Sequence, residues 1–528
     1  MNRRREKATW CLALLLGWSL VQAAPPDPAE PDEDLDEVLI TLTDLGLDPT
    51  AAEQENWQAE VSAAPAHGQA HPWSGYLRLG GQQTVEGSWR GRGHLAQSWG
   101  PFSCGIRGDW PGQPTSLAGG FLRWETQALT VIAGRVGLTA GCGLLLSGPG
   151  RSGSLVADGT LVSARTRLVG KTSRPDRRTL EGGGGRIQWH RWEVQWMTGR
   201  MPENDTLDGH PVVAGSLKFG TRKRWLGFQG LKVPLGVGWG CSGQAAGQSW
   251  QAQAEFARRQ EPVSGARQLD WVTSLTWRPG GDWLLEGAMT VSEGKDFWGL
   301  GQRPGLLKGD EGRAWALRVA TRLGPETRLA ALWGQSHTRH LGSEAQLEMN
   351  STGDIILTHR PDRTWTLSSR VLVTGKDRRT WQGRFPWLPP ESSPIKHKSL
   401  IQGTVGHLAE GRDVKFIAKL LRQVDASGTR WRRLWSLRGH FQVGETRRLR
   451  VGYGQAWGDE VDLVTALVPV PGRILPRHWG QWQSETHLAL GWQRAWGEFW
   501  LAASWRRPEG PEPAGGAWEA WLEGRIRW

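Results

Sequence analysis

The sequence predicts an all-β protein, a large antiparallel transmembrane β-barrel preceded by a short helical segment, and three observations favour this fold. From about residue 73 onward, short segments alternate apolar and polar residues with period two, as strands do. Many of the 35 tryptophans stand near the ends of these segments on the apolar side, the position of the aromatic girdles of membrane barrels. The printed chain closes on Trp528, in register with the apolar side of its last segment.

Composition excludes two other classes of protein. With 38% hydrophobic residues and a mean hydropathy of −0.47, the chain is too polar for a bundle of membrane-spanning helices. Its 35 Trp and 72 Gly do not fit the aromatic-poor profile of a disordered chain. Of the 4 Cys, Cys11 lies in the amino-terminal leader, so an odd number remains and no complete disulfide framework is predicted.

Residues 1–24 match the pattern of a cleaved signal peptide. A basic stretch from Arg3 to Lys7 precedes an apolar run from Trp10 to Val21, and Ala23 and Ala24 supply small residues for cleavage. A membrane anchor is the alternative, which we disfavour because the run is shorter than a bilayer span. We therefore expect an exported protein.

Residues 25–72 differ sharply from the rest of the chain. Twelve acidic residues and no Lys or Arg fall within residues 25–62, and apolar residues recur at helical spacing from Leu35 to Leu45. We predict an acidic periplasmic linker with a helical segment; a solvated charged tail is the alternative. Because the whole chain carries +12 and the leader +3, residues 63–528 carry +21. An acidic head thus precedes a strongly basic body.

Residues 73–528 form the predicted barrel. In the last segment, one side carries Trp518, Leu522 and Ile526, whereas the other carries charged residues such as Glu519. A soluble sandwich or propeller could also alternate in this way, but no repeat near 40 residues is found. At roughly 18–20 residues per strand with its connections, we predict about 24 strands, within a range of 20–26. Long outer loops are expected near 199–211, 293–312, 376–396 and 457–480.

The export signal, the alternating segments and the terminal Arg525-Ile526-Arg527-Trp528 together resemble bacterial outer-membrane β-barrel proteins. This resemblance implies outer-membrane localisation and recognition of the last strand by the barrel-assembly machinery. A narrower resemblance rests on Ala133–Leu146, Gly148–Gly150 and Thr179–Gly184. These glycine-rich segments are similar to parts of large outer-membrane barrels that carry an amino-terminal helix-hairpin-helix region.

The basic body predicts the chemistry of the lumen. Arg side chains bind phosphate and carboxylate in forked geometry, and a lumen lined by them would favour anions. We therefore predict a channel or translocation pore for anionic solutes, in which some Arg residues contact lipopolysaccharide. A non-transporting structural or surface-binding protein and an outer-membrane hydrolase are the alternatives. No stable nucleic-acid partner is expected. The basic residues predicted on the lumen side are Arg318, Arg322, Arg448, Arg450, Arg525 and Arg527.

Other candidate residues have structural roles. We expect Trp271, Trp277, Trp518 and Trp528 in the membrane girdle or in assembly. The glycine-rich stretch containing Gly148, Gly150 and Arg151 lacks the following helix that a phosphate-binding loop requires, so we interpret it as a loop that folds into the barrel. We predict neither a cofactor nor a metal site, and no catalytic residue.

Overall fold

A computed structural model of the chain describes residues 74–527 with gaps. The residues outside the description are 1–73, 84–88, 111–116, 141–143, 147–166, 171–179, 201–210, 222, 235, 261–264, 266, 281, 294–310, 340–345, 381–391, 462, 468–474, 480–481, 495, 509–516 and 528. Within the described ranges, no helix has the length and apolar character needed to cross a membrane. The predicted signal peptide and the acidic segment lie outside these ranges.

The described residues form strands throughout. The first group is β1 Ser74–Gln83, β2 Trp89–Trp99, β3 Phe102–Trp110, β4 Leu117–Glu125, β5 Leu129–Thr139, β6 Arg167–Gly170, β7 Leu180–Trp189, β8 Trp192–Arg200 and β9 Pro211–Gly220. The second group is β10 Arg224–Val233, β11 Gly236–Ala246, β12 Trp250–Gln260, β13 Arg267–Trp277, β14 Leu284–Glu293, β15 Glu311–Arg322, β16 Thr327–Arg339, β17 Gln346–His359 and β18 Trp365–Thr380. The third group is β19 Ser392–Ala409, β20 Arg412–Asp425, β21 Gly428–Val443, β22 Arg447–Gly458, β23 Val464–Leu467, β24 Leu475–His478, β25 Trp482–Arg494, β26 Gly497–Pro508 and β27 Ala517–Arg527.

The sheet closes on itself. It contains 25 of the described strands, and each wall strand pairs antiparallel with the next. The first strand β1 pairs with the last strand β27, with Tyr76 opposite Arg527 and Gln83 opposite Ala520. Strand β6 is an additional short strand on the end of β5, so the ring itself has 24 strands, the number that the sequence predicts. Closure leaves no exposed sheet edge, as a membrane-spanning sheet requires.

The two ends of the barrel differ in their connections. At the end where β1 begins and β27 finishes, every connection between wall strands has six residues or fewer. Gly100, Gly411 and Gly444 take positive φ angles in three of these short turns. The four long loops predicted from the sequence all connect strands at the opposite end. The predicted loop 376–396 is shorter than expected, because β18 continues to Thr380 and β19 begins at Ser392.

Among the described side chains, apolar residues cover the outside of the barrel, and the other face of most strands is buried or half-buried. In β10 the two faces alternate without interruption: Leu226 and Phe228 are exposed, whereas Trp225, Gln229 and Leu231 are buried. An exposed apolar band around a closed sheet is the surface that lipid covers. We call the opposite face of each strand the interior face.

Candidate functional site: the interior face and the segments that enter it

The predicted lumen residues of β15 lie in two different environments. Arg318 is buried on the interior face, and its Nη1 lies 3.5 Å from Oε2 of Glu286 on β14. Arg322 ends the same strand at the short-turn end, where its side chain is exposed and lies 3.9 Å from Oδ1 of Asp282. The two residues share a side of β15, but only Arg318 lies deep in the barrel.

The remaining predicted basic residues lie on β22 and β27. Arg448 and Arg450 occupy the same side of β22 as the buried Gly454 and Ala456. The Arg450 guanidinium lies 4.7 Å from the ring centroid of Trp500, a buried residue of β26. Arg525 Nη1 lies 3.6 Å from Glu498 Oε1. Arg527 ends β27, and its side chain lies outside the described set.

Three of the four predicted girdle tryptophans stand on the outer face. Trp277 ends β13 and Trp518 lies near the start of β27; both are exposed. Trp271 is half-buried, on the same side of β13 as Trp277. Trp528 falls outside the described residues.

Charge is unevenly distributed over the interior face. Between β12 and β18, buried arginines stand beside carboxylates: Arg259 contacts Asp270, and Arg370 Nη2 lies 2.6 Å from Asp354 Oδ2. Over the described strands β19–β22, the register places nine basic residues on the interior side against two acidic ones, Asp413 and Asp425. The nine are Lys396, Lys398, Lys415, Lys419, Arg430, Arg432, Arg438, Arg448 and Arg450. We call these four strands the basic sector.

A short segment after β5 crosses the interior. Gly148, Gly150 and Arg151, predicted to fold inward, lie outside the described residues, but the neighbouring residues 144–146 are described and buried. The Leu144 amide donates a hydrogen bond to Glu255 Oε1 of β12 at 3.1 Å, and Arg259 donates to the Leu144 carbonyl. Five wall strands separate β5 from β12, so this segment spans part of the barrel cross-section. Its three leucines join an apolar cluster with interior residues such as Val136 and Met197.

A second segment enters the barrel between β22 and β25, and its described residues are 459–461, 463–467 and 475–479. Strands β23 and β24 pair with each other and form a separate two-stranded sheet, which we call the inserted hairpin. The sequence predicts a long outer loop here, near 457–480. The structure differs because the stem of the hairpin is apolar: Val461, Leu463 and Trp479 are buried against interior residues of β20–β22. The mostly apolar stretch from 461 to 476, whose charged residues are Asp462 and Arg473, is the sequence signal that could have indicated this insertion.

Arg432 holds the two ends of the inserted segment together. Its Nη1 donates to the carbonyl oxygens of Gly458 and Asp459 at 3.3 and 2.9 Å, and its Nη2 donates to that of Trp482 at 3.0 Å. These acceptors lie at the points where the chain leaves β22 and enters β25. Because its guanidinium is fully buried, Arg432 replaces water as the donor to these carbonyls.

A glycine makes room for the stem. An ideal Cβ built on Gly454 would lie 2.9 Å from Cη2 of Trp479, closer than side chains pack. The indole therefore rests directly on the backbone of β22. Trp479 is also tied to the other side of the stem, since its amide donates to the Leu463 carbonyl at 3.0 Å.

Farther along the hairpin, Arg477 contacts three wall strands. Its Nε lies 3.0 Å from Glu485 Oε1 of β25, and its Nη2 lies 2.5 Å from Glu519 Oε2 of β27 and 3.4 Å from Ser504 Oγ of β26. Its guanidinium carbon lies 5.6 Å from the ring centroid of Trp521. All five side chains are buried.

Comparisons with known proteins give structural neighbours but no family. No family model matches the chain. No curated protein matches it either. Among solved structures, the siderophore receptor PirA from Pseudomonas aeruginosa has 8% identity and a TM-score of 0.44, over 88% of this chain and 82% of that one. The P pilus usher PapC translocation pore has 7% identity and a TM-score of 0.42, over 86% and 99%. The FrpB iron transporter from Neisseria meningitidis has 7% identity and a TM-score of 0.43, over 89% and 83%.

Proposed function

We propose that this chain is an outer-membrane channel or translocation pore with a basic, anion-favouring lumen, closed in this conformation by the inserted hairpin and by residues 144–146. The observation that carries the proposal is the basic sector. Fixed charges on the interior face of a closed ring attract solutes of opposite charge. Transport would be passive, because the fixed charge lowers the barrier for an anion without any chemical step.

The orientation follows from the connections. In bacterial membrane barrels the short turns face the periplasm and the longer loops face outward. The inserted hairpin and residues 144–146 both enter from the long-loop end, so in this orientation they narrow the external mouth. At the periplasmic mouth, we propose that the acidic segment, residues 27–60, docks against the basic barrel as a second plug. Deleting residues 25–62 should then raise conductance.

The outer face supports the lipid partners that the sequence predicts. Arg422 and Arg433 are exposed on the outward side of β20 and β21, near the long-loop end. Arg422 lies 5.4 Å from the ring centroid of Trp431. In the proposed orientation both reach the level of lipopolysaccharide phosphates, which guanidinium groups bind well. The terminal strand β27, with its exposed Trp518 and Leu522, remains the proposed signal for the assembly machinery.

Reversal-potential measurement in planar bilayers tests the proposed function. The purified mature protein is reconstituted, and the two chambers hold KCl at different concentrations. We expect an ionic current whose reversal potential has the sign that indicates a higher permeability for chloride than for potassium. A cation-selective current would overturn the basic lumen, and a bilayer that stays silent even after removal of residues 25–62, 144–146 and 459–481 together would overturn the pore.

A further inference from the structure

The wall residues around Arg477 form a compact receptor that does not depend on the hairpin for its own position. Glu485, Ser504, Glu519 and Trp521 come from β25, β26 and β27, which are joined by continuous pairing. These side chains project from the interior face of rigid strands, so their arrangement is set by the barrel. Only Arg477 comes from the inserted hairpin.

The receptor matches the shape of a guanidinium group. Two carboxylates lie against different nitrogens of the planar cation: Glu485 Oε1 is 3.0 Å from Nε in an ion pair, and Glu519 Oε2 accepts a hydrogen bond from Nη2 at 2.5 Å. The Trp521 ring supplies an aromatic face at 5.6 Å, which favours a delocalised, weakly hydrated cation. Arg438 is a second cation that acts electrostatically on Glu485.

Burial makes an empty receptor unfavourable. Glu485 and Glu519 are 6% and 9% exposed, and Trp521 is fully buried. Removing one member of a buried ion pair leaves charge without a partner, which costs more than the pair itself contributed. Binding of a small cation of the same shape would therefore be favourable once Arg477 has left the site.

We infer that Glu485, Ser504, Glu519 and Trp521 form a guanidinium-binding site, which Arg477 fills in the closed conformation and which a soluble guanidinium compound can occupy in its place. Binding would displace Arg477 and loosen the inserted hairpin. The ligand class is thus guanidinium-bearing solutes, such as free arginine or an arginine-rich peptide end. The binding step is independent of the proposed pore, whereas the effect on channel opening rests on it.

Calorimetric titration with methylguanidinium chloride tests the site in folded, detergent-solubilised barrels. In the Arg477→Ala variant the receptor is vacant, and we expect a dissociation constant of roughly 1 mM, well within the limit for very small ligands. The Arg477→Ala/Glu519→Gln double variant should bind about tenfold more weakly or worse. Tetramethylammonium chloride, equally charged but without the planar fork of donors, is the control ligand. No binding to Arg477→Ala, or equal binding to the double variant, overturns the inference.

Bilayer recordings of the wild-type barrel add a second readout. Methylguanidinium should raise the open probability severalfold by competing with Arg477, and tetramethylammonium should not. Equal effects of the two cations on a conducting barrel overturn the displacement of Arg477. If methylguanidinium binds as expected but every variant is silent in bilayers, the proposed pore fails and the guanidinium site stands.

Discussion

Arg477 on the inserted hairpin and Glu519 on the last wall strand form a buried ion pair, with 2.5 Å between Nη2 and Oε2. The pair joins a segment that enters the barrel to the strand that closes the ring, so one contact links the closed mouth to the wall.

Replacing Arg432 with alanine should release the ends of the inserted segment. The change leaves the carbonyls of Gly458, Asp459 and Trp482 without their buried donor, at a cost of about 1–3 kcal/mol for each buried group. We expect faster cleavage within residues 459–481 by an added protease, together with higher conductance. Arg433→Ala is the matched control, because its side chain is the outward neighbour. Equal cleavage of the two variants would contradict the role of Arg432.

A methyl group at Gly454 should displace Trp479. Gly454→Ala places a Cβ 2.9 Å from the indole, so the ring must move and the stem of the hairpin must shift with it. Gly452→Ala is the control two residues away, since its Cβ meets its nearest atom, the His487 Cβ, at an ordinary 3.6 Å. Bilayer recordings should show more frequent opening for Gly454→Ala alone. Identical recordings for the two variants would argue against close packing of Trp479 on β22.

Neutralising an interior charge of the basic sector should reduce anion selectivity. Arg448 lies on the interior side of β22 and Arg447 on the outward side. Comparing variants of these two adjacent arginines therefore distinguishes the effect of charge in the lumen from the effect of charge on the outer surface. Two unit charges 4 Å apart in water interact with an energy of ~1 kcal/mol. Loss of that interaction in Arg448→Ala should lower the chloride-to-potassium permeability ratio by up to about fivefold. Reversal potentials measure this ratio. A larger shift for Arg447→Ala than for Arg448→Ala would reject the assignment of faces.

Much of the wall could be predicted from the sequence. Period-two alternation depends on local side-chain chemistry, so it indicates the faces of β13 and β27 and the approximate number of strands. The inserted hairpin could not be located in this way. Its position depends on the packing of Trp479 against Gly454 of β22 and on the ion pairs of Arg477 with Glu485 and Glu519. These contacts join residues that are distant in sequence. The burial of Arg318 beside Glu286 likewise depends on strand register, which alternation alone does not fix.

An arginine on the lipid-facing side of β27 should hinder folding according to its depth. Leu522 lies at the middle of the strand and Trp518 near its end, and both are exposed outward. Arginine at the bilayer midplane costs about 2–4 kcal/mol in membrane barrels, and about 0–1 kcal/mol near the interfaces. Folding yield into lipid vesicles, followed by heat-modifiable gel migration, should fall for Leu522→Arg and stay nearly unchanged for Trp518→Arg. A lower folding yield for Trp518→Arg than for Leu522→Arg would place the membrane at a different height along the barrel.

We propose that the ring encloses a conducting lumen, which the inserted hairpin narrows. The single-channel conductance of the mature protein can be compared with that of a variant in which residues 460–480 are replaced by a short Gly/Ser linker. We predict a clear rise in unit conductance or open probability for the variant, with anion selectivity retained. Equal conductance of the two proteins would contradict the hairpin as the closing element, and silence from both would contradict the channel.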